Sequence, residues 1–288
     1  GQSGDHTMAY ESLLSFLSEG GDKLLFNGSL DLAVGDGAEQ KRDAKNQLNK
    51  NKEIAKKFCN PILKKLEETG HKISLPVTIK KNQMESDVHI RLIVSRGIKA
   101  TPYQHPKVTI GEPTIVIIPE YKKANPALKT KGITLGTVKT IRDNRIQDPR
   151  INSLSKHNCI AACIEAEKMG VDEGLMLDPN GNVATCNSTN FFIVLKQEVW
   201  TSSGKYCLNG ITRSSIINLC KENNVPIIEK DFLLEDVHGA CEVFVTGTFA
   251  GVIPVLSVDG IMIGKGIRGP LTKQLQEWYE LDLEKIAR

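Results

Sequence analysis

From Ile133 to Ala287 the apolar residues keep switching between an alternating spacing and a helical one, and no fold made of a single kind of element satisfies both. "GITLGTVKTIR" alternates as a strand, Ser153–Met169 repeats with helical spacing, and "EGLMLD" is a strand that runs into a tight turn at Asp178-Pro179-Asn180-Gly181. "NVATCNSTNFFIVL" supplies two more short strands. "LNGITRSSIINLCKENN" places Gly210 and Thr212 just ahead of the apolar positions Ile216, Ile217 and Cys220, so a helix starts there with its first N–H groups free. "EVFVTGTFAGVIPV" and "VDGIMIG" read as strands, the second with a hairpin turn, and Pro270–Ala287 as a closing helix. Strands with interspersed helices and no internal repeat predict an α+β domain.

The first part of the chain has a different texture. It holds a helix-like segment (Tyr10–Leu17), a short strand (Lys23–Phe26), a polar helical run and the alternating strand "DVHIRLIVSRG". "TIVIIP" then ends in "EYKKANPALKTKG", whose Pro, Lys and Asn content marks a linker. The expected organisation is a small N-terminal α/β domain over 8–118, a linker over 119–131 and a larger α+β domain over 132–288. The opening "GQSGDHT", residues 1–7, reads as an expression remnant and is set apart. With 288 residues, 40% of them apolar, there is material for one or two cores.

Charge excludes some partners. Thirty-seven basic residues against 34 acidic ones give a net charge of +3, and the Lys-rich run Lys41–Lys65 reads as a solvated helix, so neither nucleic acid nor an acidic polymer is expected. The seven cysteines are scattered and never in CxxC spacing, which argues against a disulfide framework and against a zinc site. No metal is expected. No apolar run approaches the roughly 20 residues that cross a bilayer, no leader is read, and a soluble cytoplasmic protein in a reducing compartment is the expectation.

Two Gly/Thr loops are candidates for chemistry: Gly210-Ile211-Thr212 before a helix and Thr246-Gly247-Thr248 after a strand. Backbone N–H groups at a helix start, backed by the helix dipole and a Thr hydroxyl, receive a phosphate readily. Taken singly, each loop reads first as an ordinary helix cap or strand-end turn.

The order of segments says more. "DPRINSLSKHNCIAACIEAEKMGVDEGLMLDPNGNVATCNSTNFFIV", "CLNGITRSSII", "CEVFVTGTFAGVIPV" and "VDGIMIGKGIRGPLT" together resemble the class IV aminotransferases, the fold-type-IV pyridoxal-phosphate enzymes that include branched-chain and D-amino-acid aminotransferases and aminodeoxychorismate lyase. The resemblance is nearly continuous from about Gly132 to Tyr279. Before that it survives as "LLFNGSL", "GDG" at Gly35–Gly37 and "RLIVSRG" at Arg91–Gly97. It implies a two-domain α+β architecture and a homodimer with the site at the domain interface. It also implies a cofactor phosphate held by Gly210, Ile211, Thr212, Gly247 and Thr248, with Leu208 packed beneath the pyridine ring. The implied small molecules are an amino acid and a 2-oxo acid.

Three departures set this chain apart from that pattern. The family's "P-x-I-K-S-L-N" carries the lysine that forms a Schiff base with the cofactor, and counting back 13 residues from Glu165-Ala166 reaches Asn152. An amide nitrogen is delocalised into its carbonyl, so it neither forms an imine nor serves as the amine base. The family's "V-x-E-x-x-x-x-N-x-F" supplies a glutamate to the pyridine nitrogen, where "VATCNSTNFF" has Thr185, a hydroxyl without negative charge. The phosphate-binding arginine of a "H-L-x-R-L" helix has no counterpart in "KRDAKNQLNKNKEIAKKFCNPILKKLEE". A lysine there would act as a point charge without a bidentate grip.

Other groups could stand in for the lost amine. Lys156 lies four residues after Asn152, about one turn on if the helix has begun, so its amine could reach back toward the same pocket, but a solvated lysine at a helix start is the preferred reading. His157 could act as a base or be merely exposed, and Lys139 on the preceding strand is more remote. Three readings follow: a relative that keeps the phosphate site but not transamination, an active aminotransferase or lyase with a relocated lysine such as Lys156, or an interaction protein using the basic run Lys41–Lys65.

Overall fold

The computed structural model describes residues 26–30, 75–85, 88–145 and 147–286. Two compact units emerge, one of Gly1–Ala124, Asn152–Ser155 and Asp282–Arg288, the other of Asn125–Ile151 and Lys156–Leu281. The helix expected over Tyr10–Leu17, most of the strand expected over Lys23–Phe26, Gly35–Gly37 and the run Lys41–Lys65 lie outside the described residues.

The first unit contains a three-stranded antiparallel sheet in the order β1 (Phe26–Leu30), β2 (Val88–Ser95), β3 (Thr114–Tyr121), with a short helix α1 (Leu75–Lys81). The alternation that marks "DVHIRLIVSRG" as a strand buries Val88, Ile90, Leu92 and Val94 on one face of the central strand. His89 is buried as well; its Nδ1 lies 2.6 Å from Glu120 Oε1 across the ladder, and this hydrogen bond holds the Glu120 carboxyl below the usual carboxylate range. β3 continues through Glu120 and Tyr121 because both find partners on β2.

The second unit is built on a nine-stranded mixed sheet. In chain order it runs α2 (Leu128–Lys131), β4 (Ile133–Thr137), α3 (His157–Met169), β5 (Glu173–Leu177), β6 (Val183–Cys186), β7 (Asn190–Leu195), β8 (Glu198–Thr201) and α4 (Ile211–Glu222). There follow β9 (Ile227–Glu229), α5 (Leu234–His238), β10 (Glu242–Gly247), β11 (Gly251–Val258), β12 (Ile261–Met262) and α6 (Pro270–Ile286). The strand order is β6-β5-β4-β11-β10-β7-β8-β9, with β12 paired to β11. β4 is parallel to β5 and β11, and β8 is parallel to β9. This mixture of helices and strands is an α+β fold.

Both faces of this sheet are covered, so its central strands are largely apolar. Phe191, Ile193, Val243 and Val245 belong to one cluster; Phe192, Val194 and Phe244 belong to the opposite one with Ile216, Ile217 and Cys220 of α4 and Leu275 of α6. The rings of Phe192 and Phe244 face each other across the β7–β10 ladder, centroids 4.8 Å apart and 8° from parallel. α3 packs so closely on β5 that a Cβ at Gly174 would lie 2.9 Å from the Ala162 carbonyl oxygen.

Local chemistry moved one helix boundary. α3 begins at His157, not Ser153, and Lys156 is its N-cap with φ −107° and ψ 29°. Asn152, Ser153 and Ser155 compete for backbone hydrogen bonds outside a helix, which shortens the helical run that apolar spacing alone suggests. The described cysteines are unpaired. Burial pushes the Cys186 thiol well up and the Cys220 thiol up to about 12, so both stay protonated. Among the described residues no helix is long and apolar enough to cross a membrane, and no group of three or more His, Cys, Asp or Glu could hold a metal ion.

Candidate functional site

The start of α4 carries one of the two Gly/Thr loops. Gly210 sits at its N-cap in extended conformation, and among the described residues no side chain caps the helix. Gly210 N–H donates to the Leu208 carbonyl at 2.8 Å, and Ser214 N–H donates to the Gly210 carbonyl at 2.9 Å. The first-turn N–H groups of Ile211, Thr212 and Arg213 therefore point out of the helix end, the positive end of its dipole. Arg213 is buried and gives Nη2 to the Ser202 carbonyl at 2.8 Å and to Glu229 Oε2 at 2.7 Å. That pairing fixes the first turn of α4 against β9.

The second loop is the hairpin between β10 and β11. Gly247 pairs with Gly251, and Thr248, Phe249 and Ala250 make the turn. Gly251, which closes the turn, has φ +71°, a left-handed conformation that glycine adopts without steric cost. Along β10, Thr246 shares a face with Phe244 and thus with α4 and α6. It is buried, and among the described residues its hydroxyl has no hydrogen-bond partner. Such an orphan costs about 1–3 kcal/mol unless a polar ligand satisfies it.

Asn190 ties the two loops together. It opens β7 and pairs in register with Thr246, while its Nδ2 donates to the Leu208 carbonyl at 2.8 Å. Its Oδ1 leaves no room for a side chain at residue 210, where a Cβ would lie 2.3 Å away. A Cβ at Gly247 would in turn touch Thr189 Cγ2 at 3.4 Å. Gly210 and Gly247, far apart in sequence, thus share the seat formed by Thr189 and Asn190.

Thr185 is buried on β6 and spends its proton on the Thr189 carbonyl at 2.8 Å. Glu173 of β5 holds that stretch in place: its carboxylate accepts Ser188 N–H at 3.0 Å, the Ser188 hydroxyl, and the Thr189 hydroxyl at 2.6 Å. Asn187 Oδ1 adds a bond from Gly174 N–H at 2.6 Å. Burial pushes the Glu173 carboxyl up and outweighs these donors. An acid with a raised folded-state value stabilises the fold below its ordinary range, near 4.5, and that contribution is lost as pH rises through the folded value. The stability of the native protein relative to Glu173→Gln should therefore fall as pH rises above about 4.5, as read by urea denaturation across pH; parallel curves would contradict this.

The segment that opens α3 is held from several sides. Asp148 and Arg150 form a fork, Nη2 to Oδ2 at 2.8 Å and Nε to Oδ1 at 3.0 Å, and Arg142 Nη2 donates to the Pro149 carbonyl at 3.2 Å. Glu165 accepts Lys139 N–H at 2.6 Å and the N–H and hydroxyl of Thr140. Asn152 is half-buried in irregular backbone and is grouped with the first unit. Because α3 has not begun at Asn152, Lys156 is not one helical turn from it. Lys156 is half-buried, and Lys139 and His157 are exposed.

Leu208, Gly210, Ile211, Gly247 and Thr248 are half-buried around the two loops, and Thr212 and Thr246 lie beneath them. A family model described as Amino-transferase class IV matches residues 62–258. The chain belongs to the class IV aminotransferases. This class IV aminotransferase chain is 37% identical over 205 residues to branched-chain-amino-acid aminotransferase-like protein 2 of Arabidopsis thaliana, covering 70% of the chain and 36% of that relative. It thus spans little more than a third of that protein's length. It is 36% identical over 208 residues to the putative branched-chain-amino-acid aminotransferase of Methanocaldococcus jannaschii, covering 70% of the chain and 69% of the relative. In fold it matches the PLP-form of the branched-chain amino acid aminotransferase from Thermobaculum terrenum, with a TM-score of 0.69 at 20% identity, covering 92% of this chain and 86% of that one.

Sequence reasoning gave no role to Asn190, Thr189 or Glu173. The available signal was a polar residue opening the otherwise apolar strand "NFFIVL".

Proposed function

We propose that this class IV family member holds pyridoxal 5'-phosphate by its phosphate, without a covalent tether, and does not carry out amino transfer. Asn152 carries the reading: an amide stands where the resemblance places the amine, while the two anion-binding loops keep every residue they need. The start of α4 and the Thr246 hydroxyl, neither of which has a side-chain partner among the described residues, suit a phosphate. Gly210, Ile211, Thr212, Gly247 and Thr248 would grip it through N–H groups and hydroxyls, with Leu208 beneath the ring.

When bound, that cofactor supplies an electron sink for charge at a substrate α-carbon. Thr185 gives its proton to Thr189, so it presents lone pairs and would accept a hydrogen bond from a ring N–H. A neutral acceptor holds that proton less firmly than a carboxylate. Asn152 can orient a polar group by hydrogen bonding but cannot take or return a proton at the α-carbon. The ligands that fit beside the cofactor are an amino acid or a 2-oxo acid. We place the protein in the cytoplasm, in keeping with its unpaired thiols, and as a homodimer, as the family resemblance implies.

Titration with pyridoxal 5'-phosphate, followed by absorbance and by borohydride treatment with peptide mapping, tests the reading. Saturable binding that inorganic phosphate displaces, with no lysine labelled, is expected. Label at Lys156 would instead make the protein an enzyme with a relocated amine. No binding at all would remove the cofactor from the account and leave an interaction protein.

A further inference from the structure

We infer that Tyr279 is a positioning residue of the anion cup, whose phenol donates to Thr212 and so turns the Thr212 proton toward the bound phosphate. The inference rests on the reading above that the start of α4 takes a phosphate. Thr212 is buried in the first turn, with its Oγ1 3.3 Å from Tyr279 Oη. Thr212 is the second residue of α4, so no carbonyl of its own helix lies four residues back to take its proton. The Leu208 carbonyl, ahead of the helix, already accepts from Gly210 N–H and from Asn190 Nδ2. The local outlet is therefore closed.

Tyr279 also reaches the second loop. A Cβ at Gly251 would lie 3.2 Å from Tyr279 Cε1, so the ring rests against the base of the hairpin that carries Gly247 and Thr248. One side chain of α6 thus contacts the start of one anion-binding loop and the close of the other. Two hydroxyls share one hydrogen bond, and a phenol is the stronger donor of the two kinds. With Tyr279 donating, Thr212 keeps its own proton for an external acceptor, and the chain from phenol to alcohol to anion strengthens along its length.

Binding of inorganic phosphate to the full chain, followed by phosphorus NMR, tests this. Thr212→Ala should weaken binding by roughly 10- to 100-fold, the value of a hydrogen bond to a charged group, and Tyr279→Phe by roughly 5-fold. Tyr279→Phe should cost nothing further on a Thr212→Ala background and should regain its cost on Thr212→Ser, which keeps the hydroxyl. Equal cost on all three backgrounds, or no cost in the native protein, would overturn the role given to Tyr279 and leave the cup standing. If the native protein binds no phosphate, the cup itself is refuted and the inference with it.

Discussion

Replacing Asn152 by lysine is expected to turn a protein that borohydride leaves unlabelled with pyridoxal 5'-phosphate into one labelled at residue 152. Amino transfer from an amino acid to a 2-oxo acid should rise by about 10² to 10⁴, the range a positioned proton-transfer group supplies. The gain has two sources that the amide lacks: a nucleophilic nitrogen and a base of adjustable proton affinity. Thr185→Glu added to Asn152→Lys should raise the rate again, because a carboxylate would hold a ring proton that the hydroxyl only accepts. Label at residue 152 without faster turnover would show the amine correctly placed and the remaining loss lying at Thr185 or in the first unit. No label there would mean that the lysine seat of the family falls elsewhere in this chain.

Phe244→Ala should cost about 3–5 kcal/mol of stability, seen as a lower urea midpoint at unchanged slope. The ring is fully buried at the middle of β10, stacked on Phe192 and packed among α4 and α6 residues. Its removal opens a void where the helix that starts at Gly210 rests on the strand that ends at Gly247. Phosphate binding should weaken along with stability. Val116→Ala, on the exposed face of β3, should stay within about 0.5 kcal/mol. A cost for Phe244→Ala no larger than that would show that the loops do not depend on this packing.

The strands legible in the sequence were those whose own residues carry the signal. β4, β5, β7, β10 and β11 are runs of apolar and β-branched residues bounded by Gly, Asn or Asp, and α4 follows a glycine. β8 and β9 are too short to show a period, and β9 exists because Ile227 and Glu229 pair with Val199 and Thr201. The two Gly/Thr loops were found because helix starts and hairpins need those residue types locally. Asn190 was not, since its value lies in a carbonyl eighteen residues away in the chain. Likewise, no spacing reveals that the Thr185 proton is spoken for. That depends on Thr189, which a glutamate on another strand holds in place.

The two ends of β10 do different work, and their separation acts as a gauge. At the first end Glu242 clamps the opening turn of α6, accepting Thr272 N–H and the Thr272 hydroxyl, each at 2.7 Å, and Leu271 N–H at 3.0 Å. Four strand residues carry the chain roughly 13 Å from Glu242 to Thr246, and seven helical residues carry it roughly 10 Å from Thr272 to Tyr279. That length of helix sets the phenol beside Thr212 and the base of the β10–β11 hairpin. Adding a single residue between Thr272 and Tyr279 would swing that ring about 100° around the helix axis and leave the loops unbraced.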